Sequence, residues 1–326
     1  MKKIAVLIPC LNEELTIARV VRDFREQLPG TAVYVFDNRS TDGTAAEAVA
    51  AGAIVIPEMR RGKGFVVQSM FQNIDADIYI MVDGDNTYPA SFVHELMQPV
   101  LDGTADMTVG ARLAAEGSQF RWLNRLGNRF FLGLVNSFLR ARLTDILSGY
   151  RVMNREFVKS IPLLSGGFEI ETELTIKAVQ RRFRIVEVPT PLAKRPPGSN
   201  SKIRIAQDGL RILGTILSLV RDYKPLTVFG AVGLLLSLIG GGLGLHCLWE
   251  PEQMLTAARL RWGVIGGAAF VSGLISIGIG LMLHVVNRHF LELEYLYTHN
   301  HSLKPAEAET TVSVPLPAGE ERKKAA

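Results

Sequence analysis

Asp83 and Asp85, separated by a single glycine, are the residues of this sequence best placed to do chemistry. They follow a near-continuous apolar run at residues 78–82, the pattern of a parallel strand that is buried on both faces. Ligands of open α/β sheets bind beyond the carboxyl ends of such strands. Two neighbouring carboxylates repel each other unless a cation lies between them, and Mg²⁺ or Mn²⁺ prefers these hard oxygen ligands. We therefore predict a metal site at Asp83 and Asp85, with a plain Asp-Gly turn as the alternative interpretation.

Three further polar clusters follow predicted strands in the first part of the chain. They are Pro9-Cys10-Leu11-Asn12-Glu13 at the end of a strand at residues 4–9, the cluster 37–43 after a strand at 32–36, and Gly62-Lys63-Gly64 after a strand at 53–57. Asn12 can cap the following helix, with Glu13 in its first turn, where the helix dipole favours a carboxylate. The glycines beside Lys63 allow the backbone to approach a phosphate closely, although the pattern is not a P-loop. The alternation of strands and helices predicts a doubly wound, mostly parallel α/β sheet.

Basic residues dominate the middle of the chain. Arg112 follows a predicted strand at residues 105–109, and Arg125 and Arg129 lie four residues apart on one face of a predicted helix. That face is either simply solvated or directed at an anion. The basic loop at residues 194–202 contains glycine and proline and is suited to closing over a phosphate. A further helix is predicted to begin after the glycine pair at residues 166–167. Its period places Glu169 and Glu173 on one face and Glu171 off that face.

The last third of the chain predicts an association with a membrane. Residues 203–223 are amphipathic, as expected of a helix that lies along a membrane surface. Residues 226–249 and 262–286 carry no charge, and each stretch is long enough to span a bilayer. Buried helices of a soluble protein are the alternative. Their glycines, among them Gly240 and Gly266, predict close packing of the two helices.

Charges around the two apolar stretches predict their orientation. The positive charges that flank the two stretches modestly outnumber those in the loop that connects them. The flanking charges are Arg211, Arg221, Lys224, Arg288 and Lys304, and the loop carries Arg259 and Arg261. The positive-inside rule then places the large domain and the tail in the cytoplasm. We predict a catalytic domain at 1–202, an interface helix at 203–224, a membrane hairpin at 225–287 and a largely disordered tail at 288–326.

Composition limits the remaining function classes. The chain has 326 residues, a hydrophobic fraction of 48% and a formal net charge of +4. Because acidic residues are plentiful, this mild excess of positive charge indicates a phosphate-rich ligand or an anionic membrane rather than nucleic acid. The two cysteines, Cys10 and Cys247, lie in apolar segments and do not suggest a disulfide framework.

The clusters at the strand ends, taken in order with Asp83-Gly84-Asp85, resemble the nucleotide-binding, inverting glycosyltransferases of family 2. Ser148-Gly149-Tyr150-Arg151, the loop 195–202 and the two apolar C-terminal stretches are similar to the polyprenyl-phosphate group, which includes dolichol-phosphate mannosyltransferase. This resemblance implies a glycosyltransferase A-type fold. It also implies inverting, metal-dependent transfer of a sugar from a UDP- or GDP-linked donor to a polyprenyl phosphate at the cytoplasmic face of the inner or plasma membrane.

The resemblance also implies roles for individual residues. The nucleotide sugar would be bound by Pro9, Asn12, Glu13, Asp37, Lys63, Asp83 and Gly84. The Mg²⁺ or Mn²⁺ ion would be held by Asp83 and Asp85. The acceptor phosphate would be met by Arg112, Arg125, Arg129, Arg195, Ser201 and Lys202. The residues expected to carry catalysis are Asp85, Arg112, Arg129 and Asp145. Asp145 can be interpreted as a base, but we favour a role in orienting an arginine or a structural role.

Two departures from the family pattern lead to further expectations. Asn38 stands where many members have a second aspartate, which predicts altered contacts to the base or ribose. Asn86-Thr87 replaces a common Leu-Gln, so the third metal ligand is left open. The alternatives are a membrane-bound transferase that acts on a hydroxyl acceptor and, in another class, a non-catalytic membrane subunit with a transferase fold. Intact Asp83 and Asp85 argue against the latter, and self-association is left open.

Overall fold

The computed structural model describes residues 2–113, 122–196, 198, 202, 205–249 and 256–302. The chain divides into two compact units, Met1–Tyr223 and Lys224–Ala326. The first contains a sheet covered by helices, and the second contains two long apolar helices.

The first unit is built on a seven-stranded sheet in the order β3-β2-β1-β4-β6-β5-β7. Its strands are β1 (Ile4–Cys10), β2 (Ala32–Asp37), β3 (Ile54–Pro57), β4 (Ile78–Met81), β5 (Met107–Arg112), β6 (Arg151–Asn154) and β7 (Ile185–Thr190). All neighbouring pairs are parallel except those of β6, which runs antiparallel to both β4 and β5. The predicted mostly parallel α/β sheet is confirmed.

Helices cover both faces of the sheet. They are α1 (Ile17–Gln27), α2 (Thr44–Ala50), α3 (Lys63–Asn73), α4 (Val93–Leu101), α6 (Arg155–Ser160) and α7 (Ile170–Gln180), whereas α5 (Trp122–Leu139) and α8 (Ile205–Tyr223) pack against α7 and each other. Successive side chains of a strand point to opposite faces, so β1 contributes to two cores. Val6 and Ile8 pack in the core that includes α1 and α4, whereas Ala5 and Leu7 pack in the core that includes α3 and α7.

The first helix begins later than the sequence predicts. Helix α1 starts at Ile17, and its cap position Thr16 makes no side-chain capping hydrogen bond. Asn12 adopts a positive φ of 53°, which an asparagine tolerates better than most residues. Its side-chain Oδ1 accepts a hydrogen bond from the backbone N–H of Thr41 at 2.8 Å. The predicted capping role of Asn12 is therefore wrong, because this side chain joins two loops at the carboxyl edge of the sheet.

Arg151 at the start of β6 is the largest fully buried side chain among the described residues. Its guanidinium donates to the carbonyl oxygens of Ser148 at 2.9 Å and Glu171 at 3.0 Å, and to Thr175 Oγ1 at 2.9 Å. Burial lowers the pKa of Arg151, against the opposing influence of the Glu171 and Asp145 carboxylates. These hydrogen bonds satisfy the buried donors and tie the loop before β6 to the first turn of α7.

The described part of the second unit contains α9 (Pro225–Trp249) and α10 (Thr256–Ser302). Its stretches Pro225–Trp249 and Arg259–Phe290 are long and apolar enough to cross a membrane. Only 11% of the apolar segment of the first stretch and 17% of that of the second are buried within the protein. A Cβ on Gly240 would lie 2.5 Å from the carbonyl oxygen of Gly266. The predicted close approach of the two helices at these glycines is thus confirmed.

Candidate functional site

The carboxyl ends of β1, β2 and β4 bring the first polar clusters to one edge of the sheet. Cys10 is paired in register with Asp37, and Leu7 with Met81. A Cβ on Gly84 would lie 2.7 Å from the Cys10 Sγ atom, so a glycine is needed where the chain after β4 passes over β1. The Thr16 hydroxyl donates to the Gly84 carbonyl oxygen at 2.7 Å. This close packing fixes the backbone between Asp83 and Asp85.

Asp83 takes part in a charge cluster that the sequence does not reveal. Lys63 Nζ lies 2.5 Å from Asp83 Oδ1 and is also ion-paired with Glu171. Burial opposes the charge of Lys63, yet the adjacent Asp83 and Glu171 raise its pKa overall. Burial raises the pKa of Glu171, and Lys63 counteracts that effect. Glu171, which the helical pattern places off the acidic face of α7, is the member of this cluster that sequence analysis missed.

The glycines beside Lys63 contact protein backbone. Gly62 has a φ of 133°, and Gly64 donates its N–H to the Gly166 carbonyl oxygen at 3.1 Å. A Cβ at either glycine would collide with the backbone of residues 165–166. The close approach predicted for a phosphate is therefore made to the segment before α7. It places the Lys63 side chain between Asp83 and Glu171.

Asp85 is 5% exposed and is paired with a cation from the loop after β7. Arg195 Nη2 donates to Asp85 Oδ2, and the Thr87 hydroxyl donates to Asp85 Oδ1 at 2.6 Å. Both predicted metal-binding carboxylates thus have a cationic partner, Lys63 at Asp83 and Arg195 at Asp85.

The donor set at Asp83 and Asp85 fits Mg²⁺ or Mn²⁺. These ions are commonly held by one or two carboxylates, with waters and substrate phosphates completing the coordination. Within the described part of the chain, no group of three or more His, Cys, Asp and Glu side chains is arranged to hold a metal. Asp83 and Asp85 would supply carboxylate ligands to the ion, and Thr87 already donates its hydroxyl to Asp85 at 2.6 Å.

Glu13 lies on the same edge of the sheet and is half of a second contact with the basic loop. Lys202 Nζ is 2.5 Å from Glu13 Oε1 and 2.7 Å from the carbonyl oxygen of Asn12. Burial raises the pKa of Glu13, although Lys202 lowers it. Ser201 lies outside the described residues. Arg195 and Lys202 of the predicted closing loop therefore both contact carboxylates of the site.

Asp37 at the end of β2 has one oxygen that is suited to a ligand. Asp37 Oδ2 accepts from the backbone N–H of Ser40 at 3.2 Å. Its other oxygen, Oδ1, is buried and has no hydrogen-bond partner among the described residues. A buried carboxylate oxygen without a partner is costly, so this atom is a candidate for an interaction with bound nucleotide.

Asn38 has a role different from the one its sequence position suggests. The side chain is 4% exposed and donates to the carbonyl oxygens of Glu58 at 3.1 Å and Arg60 at 2.7 Å. Its Oδ1 accepts from the Gly62 N–H at 2.8 Å. Because both ends of the amide are engaged in this way, Asn38 fastens the loop that precedes Lys63. Altered contacts to the base or ribose stay a prediction.

We expect Asn38→Asp to destabilise the first unit. A carboxylate of the same shape cannot donate, so the carbonyl oxygens of Glu58 and Arg60 would lose their partner. Leaving buried acceptors unsatisfied costs about 1–3 kcal/mol each, or about 2–6 kcal/mol for the two, which corresponds to a fall of roughly 4–24 °C in melting temperature for a unit of this size. Circular dichroism on the detergent-solubilised protein measures this change. Asn73→Asp is the matched control, since among the described residues the Asn73 amide bonds only within its own helix, at 2.9 Å to the Ser69 carbonyl oxygen and 3.0 Å to its hydroxyl. Equal melting temperatures of the two variants would contradict this role of Asn38.

Arg112 at the end of β5 is held by a buried aspartate. Its Nε and Nη2 donate to the two oxygens of Asp145 at 2.6 and 2.8 Å. Burial opposes the charge of Arg112, but Asp145 raises its pKa overall, and Asp83 is close enough to add to that effect. Asp145 is 4% exposed, and its backbone N–H donates to Glu187 Oε1 at 2.9 Å. With both oxygens on one guanidinium, Asp145 is arranged to orient Arg112.

The remaining arginines are not all brought to this point. Arg129 is exposed on α5, and within the described residues it makes no hydrogen bond or ion pair with Arg112 or Asp145. The side chain of Arg125 lies outside the described residues. The structure therefore joins Arg112 with Asp145, and Arg195 with Asp85, but it does not join Arg129 with either pair.

Comparisons with known proteins identify the family. Residues 5–161 match the sequence profile described as Glycosyl transferase family 2. Glycosyltransferase AglJ of Haloferax volcanii is 36% identical over 252 residues, which cover 76% of this chain and 82% of AglJ. A dolichyl-phosphate hexose transferase of the same organism is 30% identical over 192 residues, covering 59% of this chain and 83% of that protein.

A solved structure has the same fold. The crystal structure of glucosyl-3-phosphoglycerate synthase from Mycobacterium tuberculosis in complex with Mn²⁺, UDP-glucose and phosphoglyceric acid superposes with a TM-score of 0.58. It is 25% identical, and the match covers 67% of this chain and 80% of that chain. The synthase has also been crystallised with Mg²⁺ and UDP. Sequence profile, relatives and fold agree, and the chain belongs to glycosyltransferase family 2.

Proposed function

We propose that this glycosyltransferase transfers a sugar, with inversion and with the help of Mg²⁺ or Mn²⁺, from a nucleotide sugar to a polyprenyl phosphate. The observation that carries the proposal is the pairing of Arg112 with Asp145 beside the Asp83–Asp85 edge. Arginine suits a phosphate because its planar fork donates two hydrogen bonds at once. The similarity to a protein named dolichyl-phosphate hexose transferase supports the same class of acceptor.

The donor would lie across the carboxyl ends of β1, β2 and β4. Asp37 offers its unpaired Oδ1 to the nucleotide base, and Pro9, Asn12 and Glu13 would line the pocket. The chemistry that a divalent ion bound at Asp83 and Asp85 would supply is neutralisation of charge on the departing nucleotide diphosphate. Complexes of the mycobacterial synthase with UDP and UDP-glucose support a UDP-linked donor, and a GDP-linked donor is the alternative.

A phosphate acceptor agrees with the state of the carboxylates around the site. A hydroxyl acceptor needs a general base, whereas a phosphate is already ionised near neutral pH. Asp145 and Glu171, two buried carboxylates of the charge network that includes Asp83, are each ion-paired with a basic side chain. Orientation by Arg112 and electrostatic stabilisation would then account for most of the catalysis.

The membrane would hold the acceptor near the site. Two helical stretches of the second unit are long enough to span it, and the charges that flank them favour a cytoplasmic catalytic domain in the inner or plasma membrane. Helix α8 buries Ile212 and Ile216 while exposing Leu210 and Leu217, as expected of a helix that also contacts an interface.

Membranes containing the protein, incubated with undecaprenyl phosphate and a panel of labelled UDP- and GDP-sugars, test the proposal. We expect one labelled sugar to enter the lipid fraction, and excess EDTA to abolish that transfer. Undecaprenol without its phosphate is the control acceptor and should remain unlabelled. Labelling of undecaprenol as efficient as that of its phosphate would instead support the hydroxyl-acceptor alternative.

A further inference from the structure

Lys63 lies between two carboxylates of different exposure. Its Nζ is 2.5 Å from Asp83 Oδ1 and is also paired with Glu171. The side chains of Lys63 and Glu171 are 12% and 4% exposed, whereas that of Asp83 is 26% exposed. Asp83 therefore faces the open side of the site, and Glu171 faces the protein interior.

The backbones that carry Lys63 and Glu171 are fixed to each other and to the core. Gly64 donates to the Gly166 carbonyl oxygen at 3.1 Å, which docks the start of α3 onto the segment before α7. Arg151 donates to the Glu171 carbonyl oxygen at 3.0 Å, which holds the first turn of α7. These attachments hold the backbones of Lys63 and Glu171 close together, so the ion pair between their side chains can persist when Asp83 turns to another partner.

A buried ammonium that loses its counter-ion is strongly unfavourable. Asp83 would have to share or release Lys63 in order to bind a divalent cation. Glu171 is not a proposed ligand of the cation, so it does not have to release Lys63. It stays within ion-pair distance of Lys63 on the interior side.

We infer that Glu171 is a positioning residue that retains the Lys63 ammonium and thereby leaves Asp83 available to a divalent cation. The inference rests on the proposed metal-dependent function. Without Glu171, Asp83 would be the remaining described ion-pair partner of Lys63, and a metal would have to displace a lysine with no other counter-ion. The carboxylate of Glu171 thus acts on the metal site through Lys63.

This role is tested by measuring the binding of Mn²⁺ alone to the purified full-length protein. The electron paramagnetic resonance signal of free Mn²⁺ shows how much of the ion remains unbound. We expect Glu171→Gln to weaken Mn²⁺ binding by about tenfold or more, because a buried charge pair is broken. Asp106→Asn is the matched control. Asp106 is also buried and is ion-paired with Arg184 at 2.8 Å. It precedes the amino end of β5, whereas the site lies at the carboxyl ends of the parallel strands. Its Mn²⁺ affinity should stay within about twofold of that of the wild type, since long-range interactions are screened.

A double-variant cycle separates positioning from simple attraction of a cation by a carboxylate. If Glu171 acts through Lys63, the effect of Glu171→Gln should largely disappear in a Lys63→Met background. Simple attraction would give the same fold-change in both backgrounds and would overturn the inference. Glu171→Asp is a second variant for the case in which Glu171→Gln does not fold. It keeps the charge but shortens the reach to Lys63, so it should still bind Mn²⁺ more weakly than the wild type, and wild-type affinity would overturn the inference.

The Mn²⁺ measurements distinguish a failure of the proposed metal site from a failure of the role inferred for Glu171. A wild-type protein that does not bind Mn²⁺ would overturn the metal site at Asp83 and Asp85, and this inference with it. Wild-type binding together with an unchanged affinity of Glu171→Gln would overturn the inference alone.

Discussion

Asp85→Asn is expected to lower the rate of sugar transfer by about 10³-fold or more while the fold is retained. A bound divalent cation contributes several kcal/mol to stabilisation of developing charge, and each 1.4 kcal/mol is roughly a factor of ten in rate. Asparagine keeps the size of Asp85 and can still accept the hydrogen bond that Thr87 donates at 2.6 Å. The loss should therefore appear in turnover at saturating Mn²⁺, with a melting temperature close to that of the wild type.

Asp77→Asn is the matched control for this prediction. Asp77 precedes the same strand, β4, at its amino end, where its carboxylate accepts from the backbone N–H of Lys3 at 2.7 Å. This variant should transfer sugar at a rate within about twofold of the wild type, since surface substitutions have small effects. Undiminished wild-type turnover in excess EDTA would show that the Asp83–Asp85 pair does not act through a metal.

Arg112→Ala is expected to raise the apparent KM for polyprenyl phosphate by about 10- to 100-fold and to affect the KM for the nucleotide sugar much less. A charge-assisted hydrogen bond contributes about 1.5–3 kcal/mol, which corresponds to that range. Lysine should restore only part of the affinity, because a single ammonium cannot reproduce the two parallel bonds of a guanidinium. Steady-state kinetics with each substrate varied in turn measures both constants.

Removing Arg112 also leaves the buried Asp145 without the guanidinium that contacts both of its oxygens. The double variant Arg112→Ala/Asp145→Asn removes that unpaired charge and isolates the loss of acceptor binding. Arg155→Ala is the control, since Arg155 pairs with Asp75 at an exposed position, with side chains 51% and 62% exposed. If Arg112→Ala left the KM of polyprenyl phosphate unchanged, Arg112 would not be the arginine that binds the acceptor phosphate.

The sequence by itself predicts the framework of this site. Buried parallel strands appear as apolar runs, and polar residues that follow such runs must meet at one edge of the sheet. Asp37, Asp83 and Glu13 are therefore predictable from local pattern alone. The two uncharged stretches near the carboxyl terminus are equally visible, because hydropathy over about twenty residues is a local property.

Only the tertiary structure decides which charges are paired. Arg195 and Asp85 lie 110 residues apart, and Lys202 and Glu13 lie 189 residues apart, yet both pairs are in contact. Glu171 reaches Lys63 because the backbones around Gly64 and Gly166 touch, and helical periodicity carries no information about such a contact. Sequence spacing specifies the face of a helix on which a side chain lies. The packing of distant backbones decides which side chains that face contacts. Because these positions are shielded from water, the electrostatic interaction between each pair of charges is stronger there.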